Sequence, residues 1–104
     1  MSVSPHSERI LIRERVLTPP NRYAVFLLND DVTPMDFVVL ILQEVFHKSK
    51  MESEMLMMEV HLKGRGLCGI FSYDIASSKA EQVMSIAQEQ GYPLRSVIEK
   101  EPRT

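Results

Sequence analysis

The chain has 104 residues, of which 44% are hydrophobic and 25% charged, the composition of one ordinary globular domain with a small core. Its net charge of −2 carries no electrostatic footprint for nucleic acid, and no apolar run approaches the roughly 20 residues of a membrane span. The single cysteine, Cys68, excludes an internal disulfide and suits a reducing cytosol.

Residues 1–20 read as a flexible N-terminal tail, and 21–104 as the folded domain. The first sixteen residues, "MSVSPHSERILIRERV", lack the uninterrupted apolar segment of a secretory signal. Glu8 and Glu14 speak against a mitochondrial presequence. "TPP" then ends any regular structure, because proline lacks a donor and restricts the residue before it. The β-branched and aromatic run "RYAVFLL" predicts a strand, broken by Asn29, Asp30 and Asp31. In "TPMD", Thr33 reads as an N-cap, Pro34 as the first helical position and Asp36 as a first-turn acid. The helix should continue through "FVVLILQEVF", apolar around most of its circumference and so buried on more than one side.

Ser49 followed by Glu52 is a capping box that opens a second helix, and Gly64 closes it. Met51, Met55, Met58 and Leu62 form one helical stripe, expected to face the core. Met57, Val60 and His61 share another edge. "GLCGIFSY" predicts a second strand, with Cys68 a small core residue. "DIASSKAEQVMSIAQEQG" predicts a third helix whose apolar set includes Ile75, Val83, Ile86 and Ala87. "LRSVIEKE" predicts a last strand. The expected fold is a small single α+β domain of β-α-α-β-α-β order: a three-stranded antiparallel sheet with the helices packed on one face.

The stretch "NDDVTPMD" carries more acids than a turn and a helix cap need. A solvated loop is the plain reading. His61, beside Met57 and Val60, resembles the lip of a pocket. Asp30, Asp31 and His61 are competent metal ligands and acid–base groups. The chain nevertheless has no paired-histidine, paired-cysteine or calcium-loop spacing, and no nucleophile elbow or phosphate-cradling glycine loop. Both enzyme readings are weak on the residues alone, and composition and spacing stop at a small α+β domain with an acid-rich turn and a candidate apolar pocket nearby.

The pattern "NDDVTPMDFV", with "VH" on the next helix, closely resembles the ClpS family, bacterial adaptors that deliver N-degron substrates to a Clp AAA+ unfoldase. The similarity runs over about residues 19–100 and takes in "PPNRYAVFLLNDDVTPMDFVVLILQEVF", "MMEVHLKGRGLCGIF", "IASSKAEQV" and "GYPLRSVIEKE". The resemblance implies a cytoplasmic, monomeric, non-enzymatic adaptor that needs no cofactor and no metal. It implies binding of proteins whose first residue is bulky and hydrophobic (Leu, Phe, Tyr or Trp). Asn29, Asp31 and His61 would contact the free α-amino group, with Asp30 supporting the local charge and turn. Leu27, Leu28, Thr33, Met35, Val38, Met57, Val60 and Leu94 would form or flank the side-chain pocket. The methionine matching Met35 acts in the family as a gate against β-branched first residues. Met55 and Met58 are assigned to the core. Asp74 and Lys79 would contact the N-domain of a ClpA-type or ClpC-type unfoldase, and the tail would engage the same partner. Val32 departs from the family pattern, standing where many members carry an aromatic residue.

Overall fold

The computed structural model describes residues 21–101; the expected tail, residues 1–20, and residues 102–104 lie outside the described residues. The elements are β1 (Tyr23–Leu28), α1 (Met35–Glu44), α2 (Lys50–Lys63), β2 (Arg65–Phe71), α3 (Tyr73–Glu89) and β3 (Arg95–Lys100). The three strands form an antiparallel sheet in the order β2-β1-β3, and the helices pack on one face of it.

Strand periodicity decides which side chains meet the helices. Val25 and Leu27 of the central strand are fully buried. Phe26 points to the opposite face, where the Arg65 guanidinium lies 3.9 Å from its ring centroid and donates to Glu99 Oε2 at 2.7 Å. Opposite Leu27 stand Gly66 on β2 and Ser96 on β3. Gly66 makes a close helix approach possible. A Cβ there would sit 2.7 Å from Val60 Cγ2 and 2.9 Å from Leu56 Cδ1, so α2 rests almost directly on the strand backbone. Cys68 is buried on the same strand, and burial pushes its thiol pKa up to about 12.

The first helix starts one residue later than the sequence suggests, at Met35 and not Pro34. Thr33 is not its N-cap. The Thr33 hydroxyl donates to Asp30 Oδ2 at 2.8 Å, and the extended Pro34 (φ −65°, ψ 147°) occupies the cap position with no side-chain acceptor to offer. The helix buries Phe37, Val38, Ile41 and Leu42 but leaves Leu40 exposed, so it is covered on fewer sides than its composition implies. It ends at Glu44, and Val45 and Phe46 continue the buried set beyond it. The Lys79 ammonium, reaching across from α3, donates to the Val45 carbonyl at 2.8 Å. It also lies 5.8 and 5.5 Å from the ring centroids of Phe46 and Phe71.

The capping box opens α2 as read from the sequence. Ser49 Oγ accepts from the Glu52 N–H, and Glu52 Oε1 accepts from the Ser49 N–H, both at 3.1 Å. The stripe of Met51, Met55, Met58 and Leu62 does not face the core: these residues are 72%, 67%, 41% and 72% exposed. The buried face is the opposite one, built from Ser53, Leu56, Met57 and Val60. Its pattern is broken in the sequence because Ser53, fully buried, is polar. In α3, Ala76, Ala80, Val83 and Ala87 face the sheet, small enough for the helix to lie close. Ile75 is 49% exposed, against the expectation that it belongs to the apolar face. Ser72 takes the N-cap position, so Asp74 sits exposed in the first turn.

Candidate functional site

The site forms where the β1–α1 loop meets the end of α2. Three features fix that meeting. Gly64 closes α2 in the left-handed conformation at φ 91°, its N–H donating to the Val60 carbonyl. The Gly64 carbonyl then accepts from the Asn29 N–H at 2.9 Å, tying the start of the loop to the end of the helix. The close contact of Val60 with Gly66 holds the last turn of α2 down on β2. His61 follows Val60 and so projects from a helix end whose position is fixed twice.

Asp30 organises the loop from within. Its Oδ1 accepts from the Val32 N–H at 2.8 Å and the Thr33 N–H at 2.7 Å, and its Oδ2 accepts from the Thr33 hydroxyl. Desolvation acts to raise its pKa, but these bonds to Thr33 and Val32 together outweigh it, and the carboxyl titrates below the usual aspartate value. With Asp30 turned inward on the loop, Asn29 and Asp31 on either side of it remain exposed.

A cavity of about 190 Å³ lies at this junction. Asn29, Asp30, Asp31, Thr33 and His61 form its polar rim, and Met35, Val38, Met57 and Val60 its apolar wall. The volume is that of an aromatic ring, since a cavity of about 150 Å³ holds benzene. The structure thus brings together all three expected amino-group contacts and five of the expected pocket residues, Thr33, Met35, Val38, Met57 and Val60. Three others do not line this cavity. Leu27, on the central strand, and Leu94, just before β3, are buried in the main core. Leu28, on the opposite face of β1 from Leu27, lines a separate cavity with Asn29, Asp30, Pro93 and Arg95. Val32 is 64% exposed beside the rim. Met55 and Met58, assigned to the core from the sequence, face solvent because the inward face of α2 is taken by Leu56 and Val60.

Sequence reasoning missed Gly64 as a partner of the loop and Gly66 as the seat of α2. The spacing G-x-G between a helix and a strand was the available signal. Among the described residues, no group of three or more His, Cys, Asp or Glu side chains is placed to hold a metal ion. Asp30, one of the groups considered for metal or acid–base work, is occupied by three donors of its own loop.

The family described as "ATP-dependent Clp protease adaptor protein ClpS" matches residues 18–97. The chain belongs to the ClpS family. It is 50% identical over 88 residues to the ATP-dependent Clp protease adapter protein ClpS of Paraburkholderia xenovorans, with 85% of each chain covered. The corresponding Burkholderia thailandensis protein is equally similar, at 50% over 88 residues and the same coverage. Among solved structures, Agrobacterium tumefaciens ClpS2 bound to L-phenylalaninamide superposes with a TM-score of 0.78 at 37% identity, over 80% of this chain and 100% of that one. Membership of the ClpS family makes the chain an adaptor of the ATP-dependent Clp protease and not a catalyst. Among the described residues, no helix is long and apolar enough to cross a membrane.

Proposed function

We propose that the chain binds proteins carrying a bulky hydrophobic N-terminal residue (Leu, Phe, Tyr or Trp) and delivers them to a Clp AAA+ unfoldase. The observation that carries this reading is the convergence of Asn29, Asp31 and His61 on the rim of an apolar cavity large enough for a ring. A free α-amino group has a pKa of about 8 and is mostly cationic at neutral pH. It offers three N–H donors to an amide oxygen, a carboxylate and a neutral imidazole nitrogen. The carboxylate bond is charge-assisted, roughly twice as strong as a neutral one. An internal or acetylated peptide brings one uncharged N–H and leaves acceptors unpaired, at about 1–3 kcal/mol each. The side chain then enters between Met35, Val38, Met57 and Val60, where burial of a Leu or Phe contributes about 1.5–3 kcal/mol. The methionines adapt to flat and branched groups alike. The bound ligand named for the Agrobacterium tumefaciens structure, L-phenylalaninamide, pairs a free amino group with a benzyl side chain, and so supports this reading.

Delivery uses other surfaces. Asp74, exposed at the start of α3, is the direct contact proposed for the unfoldase N-domain. Lys79 serves that surface by holding the adjoining end of α1 through the Val45 carbonyl. The adaptor acts as a cytoplasmic monomer, with residues 1–20 engaging the unfoldase. Fluorescence anisotropy with a labelled peptide beginning with Phe tests the substrate reading. Acetylating its N-terminus is expected to weaken binding about 30-fold or more, the loss of two or more acceptor pairings. Equal affinity for the acetylated peptide would sink the reading, as would full binding by a folded Asp31→Ala variant.

A further inference from the structure

A second concavity lies directly beside the first. It is a groove of about 410 Å³ between α1 and α2, and it shares Met35 and Met57 with the proposed N-terminal pocket. Val39 and Met58 extend its apolar floor, and Asp36, Lys50 and Glu54 stand on its edge. The two methionines are therefore a partition with one face toward each space. Met58 is 41% exposed although it adjoins this floor.

We infer that this groove is a subsite for the third side chain of the bound N-terminal segment, and that it takes long side chains with an apolar stem. The inference rests on the reading of the first cavity as the seat of a free N-terminus. Given that reading, the direction of the peptide follows. The amino group is held on the rim formed by Asn29, Asp31 and His61, so the chain cannot leave through that rim. The way out is over the partition of Met35 and Met57, toward the groove. In an extended peptide, successive side chains point to opposite faces and residues one and three point to the same face, about 6.4–6.8 Å apart. The two cavities are neighbours across the shared side chains of Met35 and Met57. The first side chain fills the pocket, the second points to solvent, and the third descends on the far side of the partition.

Charge narrows the occupant. Two carboxylates, Asp36 and Glu54, face one ammonium, Lys50, around the groove, and the neighbouring rim adds Asp30 and Asp31. The field is net negative, so an acidic third residue is repelled. Leu or Met gains burial, and Arg or Lys lays its stem on Met35 and Met58 with its head near the carboxylates.

The test is an anisotropy series of free-amine peptides, Phe-Ala-Xaa followed by a constant tail, with parallel substitution at positions two and four. Leu or Arg at position three is expected to bind about 3–10-fold more tightly than Ala, the scale of partly burying one apolar stem. Glu at position three is expected to bind more weakly than Ala. Met58→Ala keeps an exposed helix site helical and should abolish the gain from Leu at position three. It should leave the affinity for Phe-Ala-Ala, and the preference for Phe over Ala at position one, unchanged. Glu54→Lys should remove the penalty for Glu. Equal affinities across position three, a preference that sits at position two instead, or a gain that survives Met58→Ala would each overturn the subsite. Loss of dependence on the free amine in the Phe-Ala-Ala peptide would instead overturn the underlying reading of the first cavity.

Discussion

Replacing Asp30 separates a residue that builds the turn from one that touches the ligand. Asp30→Ala removes the acceptors for the Val32 N–H, the Thr33 N–H and the Thr33 hydroxyl, at 2.8, 2.7 and 2.8 Å. The exposed Val32 N–H recovers a bond to water and counts for little. The two bonds to part-buried Thr33 contribute about 1 kcal/mol each after solvent screening, or about 2 kcal/mol together. In a domain of this size that corresponds to a fall of roughly 10 °C in Tm by calorimetry. Affinity for a Phe-initiated peptide should fall with it, because Asn29 and Asp31 lose the turn that spaces them. Asp30→Asn is the decisive comparison. Its amide oxygen still accepts from both backbone N–H groups, so it should retain most of the stability and most of the affinity. The pH dependence has a definite sign. The folded-state pKa of Asp30 is depressed, so its contribution is fully present above the unfolded value, near 3.9, and is lost as pH falls through the lower folded value. The reasoning is refuted if Asp30→Asn binds as poorly as Asp30→Ala while melting like the native chain, since that pattern belongs to a charge that contacts the ligand.

Gly66→Ala drives a methyl group to within 2.7 Å of Val60 Cγ2, and should cost about 1–3 kcal/mol and weaken peptide binding by displacing the cavity wall; unchanged urea midpoints and affinity would contradict the proposed seat of α2. Lys79→Met keeps the aliphatic stem but deletes the donor to the Val45 carbonyl, so it should lower stability by about 1–2 kcal/mol, read by urea denaturation. Ser53→Ala removes a buried hydroxyl that has no hydrogen-bond partner among the described residues and places a better helix former, so it should raise stability by about 1 kcal/mol in the same assay. The Cys68 thiol, buried and with its pKa pushed up to about 12, should resist iodoacetamide at pH 8 in the native chain and react once the chain is unfolded in urea.

The punctuation of the sequence made the elements legible. The capping box at Ser49 and Glu52, the glycine at position 64 and the β-branched and aromatic run that stops at Asn29 placed strands and helices in the right order. What it could not decide was which side of α2 turns inward. Two apolar stripes compete there. The longer one, Met51, Met55, Met58 and Leu62, loses to Leu56, Met57 and Val60, the face on which Leu56 and Val60 meet Gly66 on β2. The buried Ser53 hides the winning stripe from any count of hydrophobic residues. The same logic explains Thr33. Its position before a proline reads as a helix cap, yet the extended Pro34 takes the cap position and the Thr33 hydroxyl donates back to the Asp30 carboxylate, three residues earlier. Residues of the site were legible where the chemistry belonged to single side chains, and illegible where it belonged to a contact between elements.

That distinction sorts the variants of this site into two classes. Asn29 and His61 come from elements that meet through one backbone bond, the Asn29 N–H to the Gly64 carbonyl. A change at Asp30, Gly64 or Gly66 acts on the meeting itself, so stability and affinity should fall together. A change at Asp31 or His61 leaves every bond of the junction in place, because both side chains are exposed. Affinity should then fall at nearly constant Tm. A solvated polar cluster with no ligand would show neither behaviour. A series in which Asp31→Ala and His61→Ala lose binding without losing stability therefore identifies these groups as ligand contacts more directly than any single affinity does.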